Sequence, residues 1–335
     1  MDVTRSRIVM WELTRACKLS CIHCPVGSLP RRSPVELSTY EAYKTIDQIV
    51  SLQPDELMIT GGDPLERTDI YQLIDYARRR GIAPSMMASG TPLLTGAAVG
   101  KLKRNGLARL IVSLDSSAPD RHDAVRGLTG QFSATLMSIR WARTAELPVE
   151  VNTLASRRNI ADLAPIASLL GDVGAQRWNI YFLVPFGESK QSELLSGSEL
   201  DEVFTQLRDI SHRVAFPIRV FEAPHYRYFG KNDILFITHT GEVSISPFLP
   251  MTAGNVRYEP LTSLYRHGDM FTALRDEANL KGKCARCEYR KSCGGSRARA
   301  YAMTGDVFAA DPLCNYQPGA AASTVPEVAA GRGSA

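Results

Sequence analysis

The stretch IVMWELTRACKLSCIHC, residues 8–24, decides how the rest of the chain is read. Its first six residues, Ile8 to Leu13, form a short apolar run of strand length, and three cysteines follow at once with the spacing C-x3-C-x2-C. Three thiolates carried on one loop can hold three irons of a [4Fe-4S] cube and leave the fourth iron open to another ligand. A second group, Cys284, Cys287, Cys293 and Cys314, stands near the other end, and no cysteine lies between Cys24 and Cys284. Four thiolates close the coordination of a cluster, and read alone they also suit a structural zinc ion.

An odd total of 7 cysteines in 335 residues, without a secretory h-region at the start, argues against a disulfide framework and for a reducing, cytoplasmic setting. No apolar run is long enough to cross a bilayer, so no membrane partner is expected. The 39 basic and 35 acidic residues leave a net charge of +4 with no dense basic block. A nucleic-acid partner is therefore not expected either. The 44% hydrophobic content is ordinary for a chain that buries a full core.

Outward from residue 8 the pattern repeats. Short apolar segments at Glu56 to Thr60, Pro84 to Ala88, Arg109 to Asp115, Val149 to Leu154 and Trp178 to Val184 read as strands. Between the first two strands, Ser38-Thr39-Tyr40-Glu41 is a capping box that opens an amphipathic helix. Further helices are expected over Asp69 to Arg80, Thr95 to Arg104, Phe132 to Ala145 and Ile160 to Val173. Six such units predict an α/β fold, a partial (β/α)6 TIM-like barrel whose chemistry collects on the loops after the strands.

Those loops carry Gly61-Gly62-Asp63-Pro64, Ser89-Gly90-Thr91, and Ser113-Leu114-Asp115 followed by His122-Asp123, Arg126-Gly127 and Gly130-Gln131-Phe132. In this order and at these strand ends, the motifs resemble those of the radical S-adenosylmethionine (SAM) superfamily. The resemblance implies a [4Fe-4S] cluster on Cys17, Cys21 and Cys24, with His23 as the usual aromatic or His before the last cysteine. It implies SAM chelated to the open iron and cleaved reductively to a 5'-deoxyadenosyl radical. Gly61, Gly62, Asp63 and Pro64 would meet the SAM amino group, and Ser89 ends the third strand where relatives carry a small polar-Gly pair. Ser113 and Arg126, beside Asp115, would hold ribose and carboxylate, and Asn152 and Leu183 would contact the nucleoside. Arginine suits a carboxylate because its planar fork donates two parallel hydrogen bonds. Without the resemblance, Asp123 and Arg126 could be an i,i+3 surface pair.

The second cysteine group, C-x2-C-x5-C-x20-C, resembles the auxiliary-cluster region called SPASM. Relatives place further cysteines where this chain has Ser246 and Arg297, so one auxiliary [4Fe-4S] cluster on Cys284, Cys287, Cys293 and Cys314 is implied, in preference to zinc. Arg297 and Arg299 could steady the cluster or meet a carboxylate, and salt-bridging within that module is the favoured reading. The wording around these cysteines is similar to the haem d1 and alternative-haem synthases and their relatives of unassigned substrate. The implied organisation is a radical SAM core over 1–190, a bridge over 191–230, a SPASM-like module over 231–318 and a disordered tail over 319–335. In the bridge and module, a helix over Leu200 to Arg213 and a hairpin of Asp233 to Thr238 with Glu242 to Ile245 are expected.

These features imply an enzyme that abstracts hydrogen from a small biosynthetic substrate, a tetrapyrrole or a secondary-metabolite sugar or nucleoside, giving oxidation, decarboxylation or bond formation. An electron donor such as flavodoxin or ferredoxin is the expected partner. A peptide-modifying maturase is the second reading, although only 16 residues precede Cys17, too few for a fused peptide-recognition domain. A non-catalytic metal-binding module is the third. Glu12, on the first strand, faces either the barrel interior or its rim, and His225, Tyr226, Tyr228 and His239 lie in the bridge between modules, where a substrate could sit, although a lone His is more often ordinary surface or core.

Overall fold

Strand β1, Ile8–Glu12, is buried along its whole length and lies inside one ten-stranded sheet, fourth from one edge, in the computed structural model of the chain. The structure describes residues 8–25, 27–185, 191–222 and 234–319. The remaining strands are β2 (Glu56–Thr60), β3 (Ser85–Met87), β4 (Arg109–Ser113), β5 (Val149–Ala155), β6 (Arg177–Phe182), β7 (Ile218–Phe221), β8 (Ile234–Ile237), β9 (Glu242–Ser244) and β10 (Gly254–Asn255). Their order across the sheet is β10-β9-β8-β1-β2-β3-β4-β5-β6-β7, parallel from β8 through β7, with β9 and β10 antiparallel.

The helices are α1 (Thr39–Ser51), α2 (Ile70–Arg79), α3 (Gly96–Arg104), α4 (Pro119–Arg126), α5 (Gln131–Thr144), α6 (Leu163–Val173), α7 (Gly197–Ser211), α8 (Leu261–His267), α9 (Asp269–Arg275), α10 (Gly282–Ala285) and α11 (Arg297–Thr304). The Ser38 capping box is present, with Ser38 accepting from the Glu41 N–H and the Glu41 carboxylate accepting from the Ser38 N–H. A second box, Ser196 with Glu199, opens α7. Each satisfies two amides that the first helical turn would otherwise leave bare.

Alternation along the strands sorts side chains to two faces. Val9, Trp11 and Leu13, with Leu57, Ile59, Leu110 and Val112, belong to the large core that also takes in the helices. Met10, Met58, Ile111 and Phe236 form a separate cluster on the other, concave face. Below it, at the amino-terminal ends of the strands, Arg109 bridges Glu56 and Glu150 at 2.8 Å each, and Arg177 pairs with Glu150 at 2.6 Å. The concave face is thus plugged at one end, which leaves the carboxyl ends of the strands as the open mouth.

The parallel sheet is wider than six strands. β7 follows α7 and pairs with β6, and β8 pairs with β1 in parallel register. The run Ile-Arg-Val-Phe of β7 is only four residues long and follows Pro217, so its strand character emerges only from the neighbour it extends. β8 and β9 do form the expected hairpin, yet β8 also continues the barrel sheet. His225, Tyr226 and Tyr228, and the tail from 320 onward, lie outside the described residues. No described helix is long and apolar enough to cross a membrane.

Candidate active site and auxiliary cysteine centre

The loop after β1 carries Cys17, Cys21 and Cys24 as free, half-buried thiols at the mouth. Backbone bonds hold the loop in place. The Cys17 N–H donates to the Leu29 carbonyl at 2.9 Å, the Leu29 N–H to the Arg15 carbonyl at 2.8 Å, and the Ile22 N–H to the Val125 carbonyl at 3.1 Å.

Gly61 and Gly62, just past β2, press against the same loop from below. The Gly62 and Asp63 amides donate to the carbonyls of Thr14 and Ala16, both at 2.7 Å. A Cβ on Gly61 would lie 2.4 Å from the Thr14 carbonyl oxygen, and one on Gly62 would lie 2.4 Å from that of Ala16. The Gly-Gly pair therefore brings two backbones into contact and shapes the cysteine loop itself. Asp63 turns inward, accepting from the Leu65 amide at 3.1 Å and from the Thr91 hydroxyl, and Pro64 starts the short turn that follows. Ser89 donates to the Gly62 carbonyl at 2.5 Å and lies against the Cys17 thiol.

From β4 the geometry is more specific than the motif. Asp115 is buried and pairs with Arg126 at 2.5 Å, while the Arg126 Nη1 points at the Cys21 sulfur from 3.9 Å. Burial raises the thiols of Cys17 and Cys21, and the Arg126 charge pulls Cys21 back down. His122 accepts the Asp115 amide on Nδ1 at 3.1 Å, which leaves its proton on the buried Nε2. Burial pushes both His23 and His122 down to about 4, so both rings are neutral at physiological pH. Asp123 does not pair with Arg126. It caps α5, accepting from the Gly130 and Phe132 amides at 2.5 and 2.7 Å.

Ser113 ends β4, Asn152 lies on β5 and accepts from Asn179 at 3.0 Å, and Leu183 is buried just past β6. Ser113 and Asn152 are register partners across neighbouring strands. Cys17, Cys21, His23, Asp63, Ser89, Asp115 and Arg126 are joined by direct or electrostatic contacts. No such contact joins Leu183 to that group among the described residues.

The structure adds a pair that the sequence presents as two separate residues. Glu12 faces the concave side, not the rim, and its Oε1 lies 2.5 Å from the His239 Nδ1 and 3.2 Å from the Arg15 Nε. Its other oxygen is buried and has no hydrogen-bond partner among the described residues. A separation of 227 residues hides this pair from any local pattern.

A match to the model of the Radical SAM superfamily spans residues 11–170. An AdoMet-dependent heme synthase of Methanosarcina barkeri is 33% identical over 93% of this chain and 97% of its own. The chain belongs to the radical SAM superfamily. A PqqA peptide cyclase of Rhizobium meliloti is 25% identical over 92% of this chain and 86% of its own. Among solved radical SAM folds, SuiB of Streptococcus suis bound to S-adenosylmethionine superposes with a TM-score of 0.77 at 13% identity, covering 93% of this chain and 78% of that one. Membership implies a [4Fe-4S] cluster and SAM. The residues fit: three undisulfided thiols share one loop, and a buried arginine fork is aimed at one of them.

The second cysteine group lines one cavity. Cys284, Cys287, Cys293 and Cys314 all border it, with Gly294 and Gly295 between them. Burial pushes the Cys314 thiol up to about 11, so a bound metal would have to displace the thiol protons. Among the described residues no group of three or more His, Cys, Asp or Glu closes on a single metal-ion position, so the grouping rests on the shared cavity. Behind the cavity, Arg299 and Asp311 form a fully buried two-pronged pair at 3.0 and 2.6 Å, the expected salt bridge within the module. Arg297 does not form one. Its Nη1 donates to the carbonyls of Val307 and Ala309 at 2.9 and 2.8 Å.

Proposed function

We propose that this radical SAM enzyme acts on a tetrapyrrole, with SAM at the cysteine loop after β1 and an auxiliary [4Fe-4S] cluster in the C-terminal cavity. The observation that carries the reading is the near full-length likeness to an AdoMet-dependent heme synthase, at 33% identity. Bound at the mouth, the cluster and SAM supply a 5'-deoxyadenosyl radical able to take hydrogen from an unactivated carbon.

The chain's own residues then have distinct tasks. Arg126, neutralised on one side by Asp115, presents its remaining edge to Cys21 and the space above it. Ser113 and Asn152 lie side by side at the ends of β4 and β5, where they would meet the sugar of SAM. Glu12 and His239 supply a buried carboxylate and imidazole facing the concave side. Tyr181, stacked on Phe221 with ring centroids 4.4 Å apart, offers an aromatic edge suited to a planar macrocycle. An external donor of the flavodoxin or ferredoxin type would deliver the electron.

The test is anaerobic reconstitution with SAM, dithionite and iron porphyrins deuterated on their carboxyethyl side chains. Deuterium in 5'-deoxyadenosine, with an altered porphyrin side chain, supports the reading. Formation of 5'-deoxyadenosine that is indifferent to every porphyrin, and coupled instead to a peptide, moves the protein to the side of the PqqA cyclase relative.

A further inference from the structure

Arg297 is fixed by backbone and not by a direct ion pair, with the Asp311 and Glu222 carboxylates within electrostatic reach. It opens α11, and one nitrogen is fixed by two carbonyls, those of Val307 and Ala309. Its Nε and Nη2 are buried, and neither finds a hydrogen-bond acceptor among the described residues. Leaving two charged donors without acceptors in a protein interior is costly. The guanidinium lies beside the Cys284 thiol and within electrostatic reach of Asp311 and Cys293.

The surrounding backbone makes room for that placement. Gly295 adopts φ of +71°, and a Cβ there would lie 2.9 Å from the Arg297 Nη2. The neighbouring carboxylate, Asp311, is taken up by Arg299 through both oxygens. Arg297 therefore makes no direct ion pair with Asp311, and Cys284 stands first among the charges that act on it.

We propose that Arg297 is a positioning residue that sets the potential of the auxiliary cluster, aiming Nε and Nη2 at the Cys284 sulfur and favouring the more reduced, more negative state. The inference rests on the auxiliary-cluster reading above. Hydrogen bonds and net charge at the sulfurs are among the main determinants of cluster potential. The N-terminal site differs, since the cation beside Cys21 is neutralised by Asp115. The auxiliary cluster should therefore have the higher potential of the two.

The experiment is an EPR-monitored redox titration of the reconstituted full chain and its Arg297→Met, Arg297→Gln and Arg297→Lys variants, with iron and zinc counted in each. SAM is added to mark which signal belongs to the N-terminal cluster. At the potential where the wild-type auxiliary cluster is half reduced, the Met and Gln variants should show a reduced-to-oxidised ratio at least tenfold lower, equivalent to about 59 mV for a one-electron couple. The Lys variant should lose less, and the SAM-responsive signal should stay in place. An unmoved midpoint in the Met or Gln variant overturns the proposal, as does loss of the auxiliary cluster from all three variants, which would make Arg297 structural only. Wild-type protein that holds a single cluster, or zinc in the C-terminal cavity, sinks the auxiliary-cluster reading itself and this inference with it.

Discussion

Both cysteine centres put an arginine against a thiol, but they support that arginine differently. At the N-terminal loop, Arg126 is paired with buried Asp115, so the cation that faces Cys21 is balanced by a carboxylate. Beside the C-terminal cavity, Arg297 is held by two neutral carbonyls and makes no direct ion pair, with Cys284 and Asp311 foremost among the charges that act on it. The loops differ in the same sense. The first is shaped by backbone pressed on backbone at Gly61 and Gly62, which leaves its outer face open. The second has four cysteines around one cavity, anchored from behind by Arg299 and Asp311. On the proposed function, one centre would admit a molecule and the other would enclose a cluster.

The sharpest way to break the comparison is to remove one centre and watch the other. Cys24→Ala should abolish reductive SAM cleavage and remove about four irons per chain while leaving the auxiliary signal in EPR. Loss of both signals would mean that the centres do not assemble independently. Next in size, Asp311→Ala leaves Arg299 as an uncompensated buried charge, which costs about 3–5 kcal/mol. Denaturant melts should show that loss, with the auxiliary iron released before the SAM-responsive iron. Gly62→Ala should be milder in stability, about 1–3 kcal/mol for forced overpacking. Its Cβ is directed at the Ala16 carbonyl, so SAM cleavage should fall by more than the stability change accounts for. Cleavage that survives unchanged would show that backbone contact between the two loops does not shape the site.

Much of the open centre was legible because its parts are local. Each motif sits at the end of one strand, and the strand is visible from its apolar run, so Cys17 through Cys24, Gly61-Gly62 and Ser113 through Arg126 announce themselves in order. What those residues do to one another was not legible. Asp123 and Arg126 look like an i,i+3 pair in sequence, yet Asp123 caps α5 and Arg126 reaches back to Asp115, because the helix end at Gly127 turns the chain with φ of +68°. The eight-strand width was hidden too, since β8 joins β1 only through long-range pairing. Glu12 and His239 meet by the same route. The closed centre was legible as a count of cysteines, but the surroundings of Arg297 depend on carbonyls in the loop after α11 that carry no side-chain signal.

The smallest expected effect concerns the strap that ties the two regions together. Glu41, at the start of α1, accepts from the Ser38 amide at 2.8 Å and pairs with Arg257 at 2.8 Å, and Arg257 also donates to the Val35 carbonyl at 2.9 Å. The Arg257 hydrogen bond, with the Ser38 amide behind it, holds the Glu41 carboxyl at about 2, against an ordinary 4.5. A carboxyl depressed in the folded state contributes stability above its unfolded value and loses it as pH falls toward the folded one. The contribution should therefore be whole at neutral pH and fade between about pH 4.5 and pH 2. Because the pair is partly exposed, Glu41→Gln should cost only about 0.5–1 kcal/mol at pH 7. The difference between wild type and variant in urea melts should shrink as pH is lowered through that window. A difference that stays constant down to pH 2 would assign the effect to the helix cap alone and leave the ion pair to Arg257 without a measurable share.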